Sequence, residues 1–145
     1  MNIASRWLLV GALLGGLAVA MGAFGAHGLQ SRLADADGTL SNVAERRLAN
    51  WETAARYQMY HALALLAIGC LARDYSRRSL HAAGSLLTGG TFIFSGCLYA
   101  LVLTEQRILG AIVPMGGVLL VIGWALLAYA VAAPKRIKAV QVDGR

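Results

Sequence analysis

The sequence predicts an all-α integral membrane protein, a four-transmembrane-helix bundle with one amphipathic interfacial helix between helices one and two. Three observations indicate this fold class: the composition, four long apolar runs, and a helical periodicity in the polar stretch between the first two runs. Hydrophobic residues make up 58% of the 145 residues and charged residues only 14%. Because soluble domains carry about 25% charged residues, this chain has too little charge to cover a surface in water.

The first apolar run extends from Trp7 to Ala26, and we place the first transmembrane helix at residues 7–27. A run of about 20 residues, rising about 1.5 Å each, reaches about 30 Å, the thickness of the hydrocarbon core. The basic Arg6 and the small residues Ala18-Val19-Ala20 also fit a cleavable signal peptide. We expect the segment to be retained as a transmembrane helix.

The polar stretch that follows predicts the interfacial helix, at residues 41–56. Apolar residues recur in it every three or four positions, at Leu40, Ala44, Leu48, Trp51 and Ala55. Such spacing is a helical stripe, and the charged residues lie off it. We therefore expect an amphipathic helix that lies at the membrane interface, or is stacked on the bundle, before the chain turns into the membrane.

The other spans are predicted at residues 54–72, 79–104 and 108–133, and a basic tail follows at 134–145. By its length, the chain 1–145 is a single domain. The connection between the third and fourth helices is very short, which predicts antiparallel neighbours. A proline in the fourth run, Pro114, is expected to bend the helix axis.

The distribution of basic residues predicts the topology. Four spans place both termini on one side, and that side carries eight of the 13 Lys and Arg residues, against five on the other. By the positive-inside rule, both termini are expected in the cytoplasm and the long polar segment outside, in a bacterial inner (plasma) membrane. No basic stripe with interleaved aromatics is present, so we expect membrane lipids as partners and no nucleic acid.

Small residues mark the helix faces that are expected to pack closely. Glycines spaced three apart at the end of the first run leave one helix face without side chains, so another backbone can approach. We favour general membrane packing over a specific dimer motif. The residues assigned to helix packing are Gly22, Gly25, Gly28, Gly96, Pro114 and Gly117.

Polar side chains are predicted to gather at one depth near the outer side. His27 ends helix one, and Tyr99 lies late in helix three. Gln58 and His61 lie one turn apart at the start of helix two. Polar groups within a membrane are costly, and two explanations stay open: they hydrogen-bond to one another across helices, or they bind a small lipid-like ligand such as a lipid headgroup or a quinone.

Catalytic and cofactor chemistry has little support. A bis-histidine haem or a metal site made by His27 and His61 is a third, less favoured interpretation, because no third ligand lies nearby. Ser95 has no acidic residue behind it, which argues against a nucleophile triad. We therefore expect no catalytic residue, no metal and no cofactor, and we expect that the protein is not an enzyme.

Four motifs carry a resemblance to a known family. They are Gly22–Leu29 (GAFGAHGL), Tyr57–Ala64 (YQMYHALA), Phe94-Ser95-Gly96 with Tyr99, and Pro114 with Gly116-Gly117 and Gly123-Trp124. Together they resemble the bacterial domain-of-unknown-function 423 family, which is related to the eukaryotic transmembrane protein 256. The resemblance extends nearly end to end and implies a small four-helix membrane protein without assigned catalytic residues. Val113 departs from the threonine expected before the proline.

These observations lead to one functional hypothesis and one alternative. The hypothesis is a non-enzymatic scaffold or accessory subunit, whose glycine-rich helix faces dock helices of a second copy or of a larger membrane protein complex. The alternative is a binder or carrier of a small lipid-like ligand at the outer polar cluster, formed by His27, Gln58, His61 and Tyr99.

Overall fold

The computed structural model describes residues 2–74 and 78–132, which contain helices and turns and no strand. The helices are α1 (Ile3–Ala23), a π-helical segment (Phe24–Leu29), α2 (Gln30–Leu33), α3 (Asn42–Asp74), α4 (Arg78–Thr104) and α5 (Arg107–Ala132). The prediction of an all-α chain is confirmed. The predicted basic tail, 134–145, and the last residue of the fourth predicted span lie outside the described residues.

Three helical stretches are long and apolar enough to cross a membrane: Ile3–Leu33, Arg78–Thr104 and Arg107–Ala132. They correspond to the first, third and fourth predicted spans. α3 does not meet the same criterion, since its uncharged run is short and contains Gln58 and His61. A helical protein with several apolar, membrane-length helices is therefore established, while the fourth span stays a prediction.

The predicted interfacial helix and the predicted second span are one continuous helix, α3. No proline interrupts residues 42–74, and the stretch is rich in alanine and other good helix formers. The predicted bounds 41–56 and 54–72 therefore mark two parts of one helix, and the position of the first part at the membrane interface stays a prediction. Its apolar stripe nevertheless faces the other helices, because Ala44, Trp51 and Ala55 are buried and Leu48 is partly buried.

The four long helices pack in chain order, α1 on α3, α3 on α4 and α4 on α5. Successive partners run in opposite directions: Ala54 of α3 lies beside Ser95 of α4, whereas Arg47 lies beside Val102. The core they share includes Leu65, which is fully buried. Such an arrangement is an up-down bundle, in which the carboxyl ends of α1 and α4 meet the amino end of α3. We call this end of the bundle the outer end, after the topology predicted above.

Glycines bring neighbouring helices into close contact. A Cβ atom added to Gly116 of α5 would lie 2.5 Å from the backbone nitrogen of Phe94 on α4. One added to Gly90 would lie 3.0 Å from the backbone nitrogen of Leu120. Gly11 of α1 is similarly close to α3. Small residues at these points allow the backbones themselves to touch, as is typical of helix packing in membranes.

The six predicted packing residues divide into two groups. A Cβ on Gly25 would be 2.5 Å from the Trp51 ring, and one on Gly117 would make ordinary contact with Phe94 at 3.9 Å. Gly22 and Gly96 do not join helices within the described chain, since an added Cβ at either meets no described heavy atom within 4 Å; packing of these two glycines against a partner helix stays a prediction.

The remaining two predicted packing residues do not join helices either. Gly28 packs against Phe24 of its own π-helical segment, with 2.9 Å from an added Cβ to that ring. Pro114 lies inside α5 on its exposed side. The spacing of small residues thus identified helix faces with little side-chain bulk, but it did not identify which of these faces another helix of the chain covers.

A charged side chain closes the outer end of α4. Arg47 of α3 donates through Nη2 to the Val102 carbonyl at 2.7 Å and pairs through Nη1 with Glu105 at 2.6 Å. Glu105 has a positive φ of 58°, where the chain turns into α5. A cation at the last carbonyls of a helix satisfies them and complements the helix dipole, so Arg47 fixes this corner to α3.

The connection from α2 to α3 turns at Gly38, whose φ is 83°. Asp37 accepts hydrogen bonds from the Thr39 hydroxyl at 2.7 Å and from the Thr39 backbone N–H at 3.0 Å. These two bonds hold the pKa of the Asp37 carboxyl below its ordinary value. The turn is therefore ordered by its own side chains.

Candidate functional site

The structure brings two of the four predicted ligand residues together, Gln58 and Tyr99. Gln58 is buried on α3, and its Nε2 donates to the Leu14 carbonyl of α1 at 2.9 Å. Its Oε1 accepts from the Tyr99 hydroxyl of α4 at 3.2 Å. The nitrogen and the oxygen of this buried amide are therefore both hydrogen-bonded, and the side chain connects three helices.

Two further polar contacts lie in the same layer. The Trp51 indole donates to the Met21 carbonyl at 2.7 Å, and the Ser95 hydroxyl donates to the Ala54 carbonyl at 2.9 Å. The Trp51 ring also packs against Tyr99, with 4.6 Å between ring centroids. Sequence reasoning missed both contacts. The available signal was that Ser95 shares a helical face with Tyr99 and Val102, at spacings of four and seven residues.

His61 is buried and lies on another side of α3. Its Nδ1 is 2.6 Å from the Tyr57 carbonyl one turn earlier; since a carbonyl only accepts, Nδ1 carries the hydrogen. The ring faces α5, with its centroid 6.3 Å from that of Trp124. Within the described part of the chain, no residue forms a hydrogen bond with its other nitrogen, Nε2.

His27 is exposed on the π-helical segment. No hydrogen bond or ring contact among the described residues joins it to His61. The predicted convergence of the two imidazoles, which both the ligand cluster and the bis-histidine hypothesis used, is therefore not found in the structure. Within residues 2–74 and 78–132, no group of three or more His, Cys, Asp and Glu side chains is placed to hold a metal ion.

The π-helical segment changes the bonding at the outer end of α1. The N–H of Gln30 reaches back five residues to the Gly25 carbonyl, so this turn is wider than an α-helical turn. At its start, the Phe24 N–H contacts the Ala20 and Met21 carbonyls, and the Met21 carbonyl also accepts from Trp51. π-Helical turns occur frequently at functional sites, and an open space lies beside this one.

That space is a cleft of about 330 Å³ between the π-helical segment and the outer half of α3. We call it the outer cleft, and it is lined by Gly22, Gly25, Ala26, Gln30, Leu48, Trp51 and Glu52. Its inner wall is apolar or aromatic, and its polar groups come from Gln30 and Glu52. Its volume is within the range of small-molecule sites, about 300–1,000 Å³.

We predict that Gly25→Ala destabilises the protein by about 1–3 kcal/mol, the usual cost of overpacking. The new Cβ would meet the Trp51 ring at 2.5 Å, and that ring is held by its bond to the Met21 carbonyl. Gly22→Ala, three residues earlier, is the matched control because its Cβ faces the open cleft. Thermal unfolding of the purified variants in detergent measures the difference, and equal midpoints would contradict the described packing.

The comparisons with known proteins agree with a membrane location. Residues 21–117 match the family described as "Protein of unknown function (DUF423)". A UPF0382 membrane protein from a bovine strain of Staphylococcus aureus is 46% identical over 121 residues, which are 83% of this chain and 90% of the relative. One from Staphylococcus epidermidis is 47% identical over 124 residues, 86% and 93% of the two chains. No solved structure matches.

The matched residues contain the π-helical segment, the outer cleft and all four predicted ligand residues. The relatives are named as membrane proteins, and this chain has three apolar helices of membrane length, so it is a multi-pass membrane protein. Its similarity to these relatives extends over more than four fifths of its length. The chain therefore belongs to the DUF423 family, whose members are proteins of unknown function.

Proposed function

We propose that this protein is a non-enzymatic scaffold or accessory subunit of the plasma membrane, which docks a transmembrane helix of a partner or of a second copy. In this proposal α3 is the fourth span, and both termini lie in the cytoplasm. The uncharged part of α3, from Tyr57 to Ala72, supports a span because it packs between α1 and α4 as a member of the bundle. Its residues Leu65 and Ile68 are fully buried there.

The observation that carries the proposal is an exposed strip of α4, formed by Gly89, Phe92 and Gly96, which we call the docking strip. A Cβ added to either glycine meets no described heavy atom within 4 Å, and Phe92 between them is 63% exposed. The two glycines are seven residues apart and lie on one face, away from the contacts with α3 and α5. In a membrane, an uncovered face of small residues lets another helix approach closely.

The test is to replace both strip glycines, as Gly89→Leu with Gly96→Leu. We expect association to be lost while the fold is retained, since a Cβ added at either position meets no described heavy atom within 4 Å. Gly16→Leu is the matched control, because Gly16 is also open but lies on α1, outside the strip.

Two measurements follow association. Cross-linking through Cys97, which adjoins the strip, in a Cys70→Ser background reports contact with a second copy in native membranes. Purification in mild detergent followed by mass spectrometry reports a stoichiometric protein companion. A parent chain that gives neither a cross-linked dimer nor a companion would overturn the proposal, as would equal association of the double variant and the parent.

The alternative, a ligand at the cluster of His27, Gln58, His61 and Tyr99, has less support. The Gln58 amide is already bonded at both ends, so a ligand would have to replace internal hydrogen bonds. His27 is exposed and His61 faces Trp124, so the four side chains do not surround one volume. The geometry favours a structural tie for Gln58 and Tyr99.

A further inference from the structure

We infer that the outer cleft binds the headgroup of a zwitterionic phospholipid, with the ammonium group at Glu52 and the phosphate at Arg56. The inference rests on the part of the proposed function that makes α3 a span, but not on docking, because the cleft lies between α1 and α3 and the docking strip lies on α4. It depends on three observations: the shape of the cleft, the order of two charges along α3, and the position of both charges relative to the uncharged part of that helix.

The cleft is open because the residues on one of its walls have small side chains or none. Gly22, Gly25 and Ala26 form one wall, and Leu48 and Trp51 form the opposite wall. The Trp51 N–H is already bonded to the Met21 carbonyl, so its ring supplies surface and no free donor. A volume of about 330 Å³ accommodates a small headgroup, and the apolar walls suit the glycerol and upper acyl region that follow it.

Two charges of α3 are available to a ligand, one that lines the cleft and one just beyond its lining. Glu52 lines the cleft, and Arg56 lies one turn further along α3, with 3.7 Å between Nη2 and Oε1. Both side chains are largely exposed, at 70% and 53%. An exposed pair of this kind contributes little to stability, so each group is free to exchange its partner for a ligand of opposite charge.

The order of the two charges matches the order in a zwitterionic lipid. The uncharged run of α3 begins at Tyr57, directly after Arg56, so Arg56 lies closer to the hydrocarbon than Glu52 does. Four residues, at about 1.5 Å each, separate the two charges by about 6 Å along the axis. In a phospholipid the phosphate lies nearer the acyl chains and the ammonium lies further out. An anionic lipid such as phosphatidylglycerol has no cationic group to place beside Glu52.

The experiment is competitive lipid retention by the full chain. The protein is purified in mild detergent, equilibrated with equal amounts of phosphatidylethanolamine and phosphatidylglycerol, and analysed by native mass spectrometry. We expect phosphatidylethanolamine to be retained preferentially. Glu52→Gln should lower its retention roughly fivefold, the factor that one charge contact near a membrane surface supplies, and should leave retention of phosphatidylglycerol unchanged. Arg56→Gln should lower retention of both lipids.

Glu45→Gln is the matched control, because Glu45 is an exposed acid on α3 that does not line the cleft. Equal retention of the two lipids by the parent chain would overturn the inference, as would an equal effect of Glu45→Gln and Glu52→Gln. The Gly89→Leu, Gly96→Leu variant should keep the lipid preference, which separates this result from the test of the scaffold. Unchanged thermal unfolding of the charge variants checks that the fold is intact.

Discussion

Replacing Gly116 with alanine is expected to lower the free energy of unfolding by about 1–3 kcal/mol, the usual range for overpacking. The new Cβ would lie 2.5 Å from the Phe94 backbone nitrogen and 2.9 Å from its Cα. Both atoms belong to the backbone of α4, so no side-chain rotation can relieve the contact. α4 and α5 would have to move apart along the seam that also includes Gly90 and Gly123.

The adjacent glycine supplies the control for this prediction. In Gly117→Ala the added Cβ would lie 3.9 Å from the Phe94 ring, an ordinary contact, and alanine is the better helix former by about 1 kcal/mol. We expect no loss of stability. Unfolding by sodium dodecyl sulfate, followed by circular dichroism, compares the variants, and the α4–α5 seam would be misplaced if the two curves coincide.

Gln58→Leu is expected to have the second large effect, a loss of about 1–3 kcal/mol for buried polar groups left without partners. The substitution removes the hydrogen bonds to the Leu14 carbonyl and from the Tyr99 hydroxyl together. It therefore disconnects α1 and α4 from α3 at the same depth. Interhelical hydrogen bonds in membranes often contribute less, about 0.6 kcal/mol on average. The measured loss of unfolding free energy therefore tests whether Gln58 contributes more than an average interhelical hydrogen bond.

A double-mutant cycle sharpens the test. Tyr99→Phe removes only the bond between Tyr99 and Gln58, so its effect should be smaller than that of Gln58→Leu. Once Gln58 is leucine, removing the hydroxyl of Tyr99 should cost less than it does in the parent chain, because that hydroxyl has already lost its acceptor. Strictly additive unfolding free energies would show that the two side chains do not interact.

The parts of the fold that follow from local pattern were predictable from the sequence. The lengths of the apolar runs predicted the long helices, and the apolar stripe that includes Trp51 predicted which side of the first half of α3 is buried. That Gln58 and Tyr99 lie at a similar depth was also predictable, since each lies a few turns from the same end of the bundle. Their hydrogen bond required only that the facing helices be neighbours.

The parts that were not predictable depend on where a helix departs from regular winding and on which faces are covered. The depth of His27 at the end of helix one did not reveal its direction, because a π-helical turn changes the angle between successive residues there and the side chain is exposed. Glycine spacing cannot distinguish Gly25, which Trp51 covers, from Gly22, which faces a cleft. The sequence contains no break between residues 42 and 74, but its change from charged to uncharged composition suggested two elements.

The length of α3 has a consequence for the shape of the protein at the membrane surface. Its 33 residues, at about 1.5 Å each, extend about 50 Å, whereas the hydrocarbon core is about 30 Å thick. Tilt of up to about 40° cannot immerse such a rod completely. If α3 is the fourth span, as proposed, its charged amino-terminal turns therefore extend beyond the hydrocarbon core, where they pack beside the ends of α1 and α4.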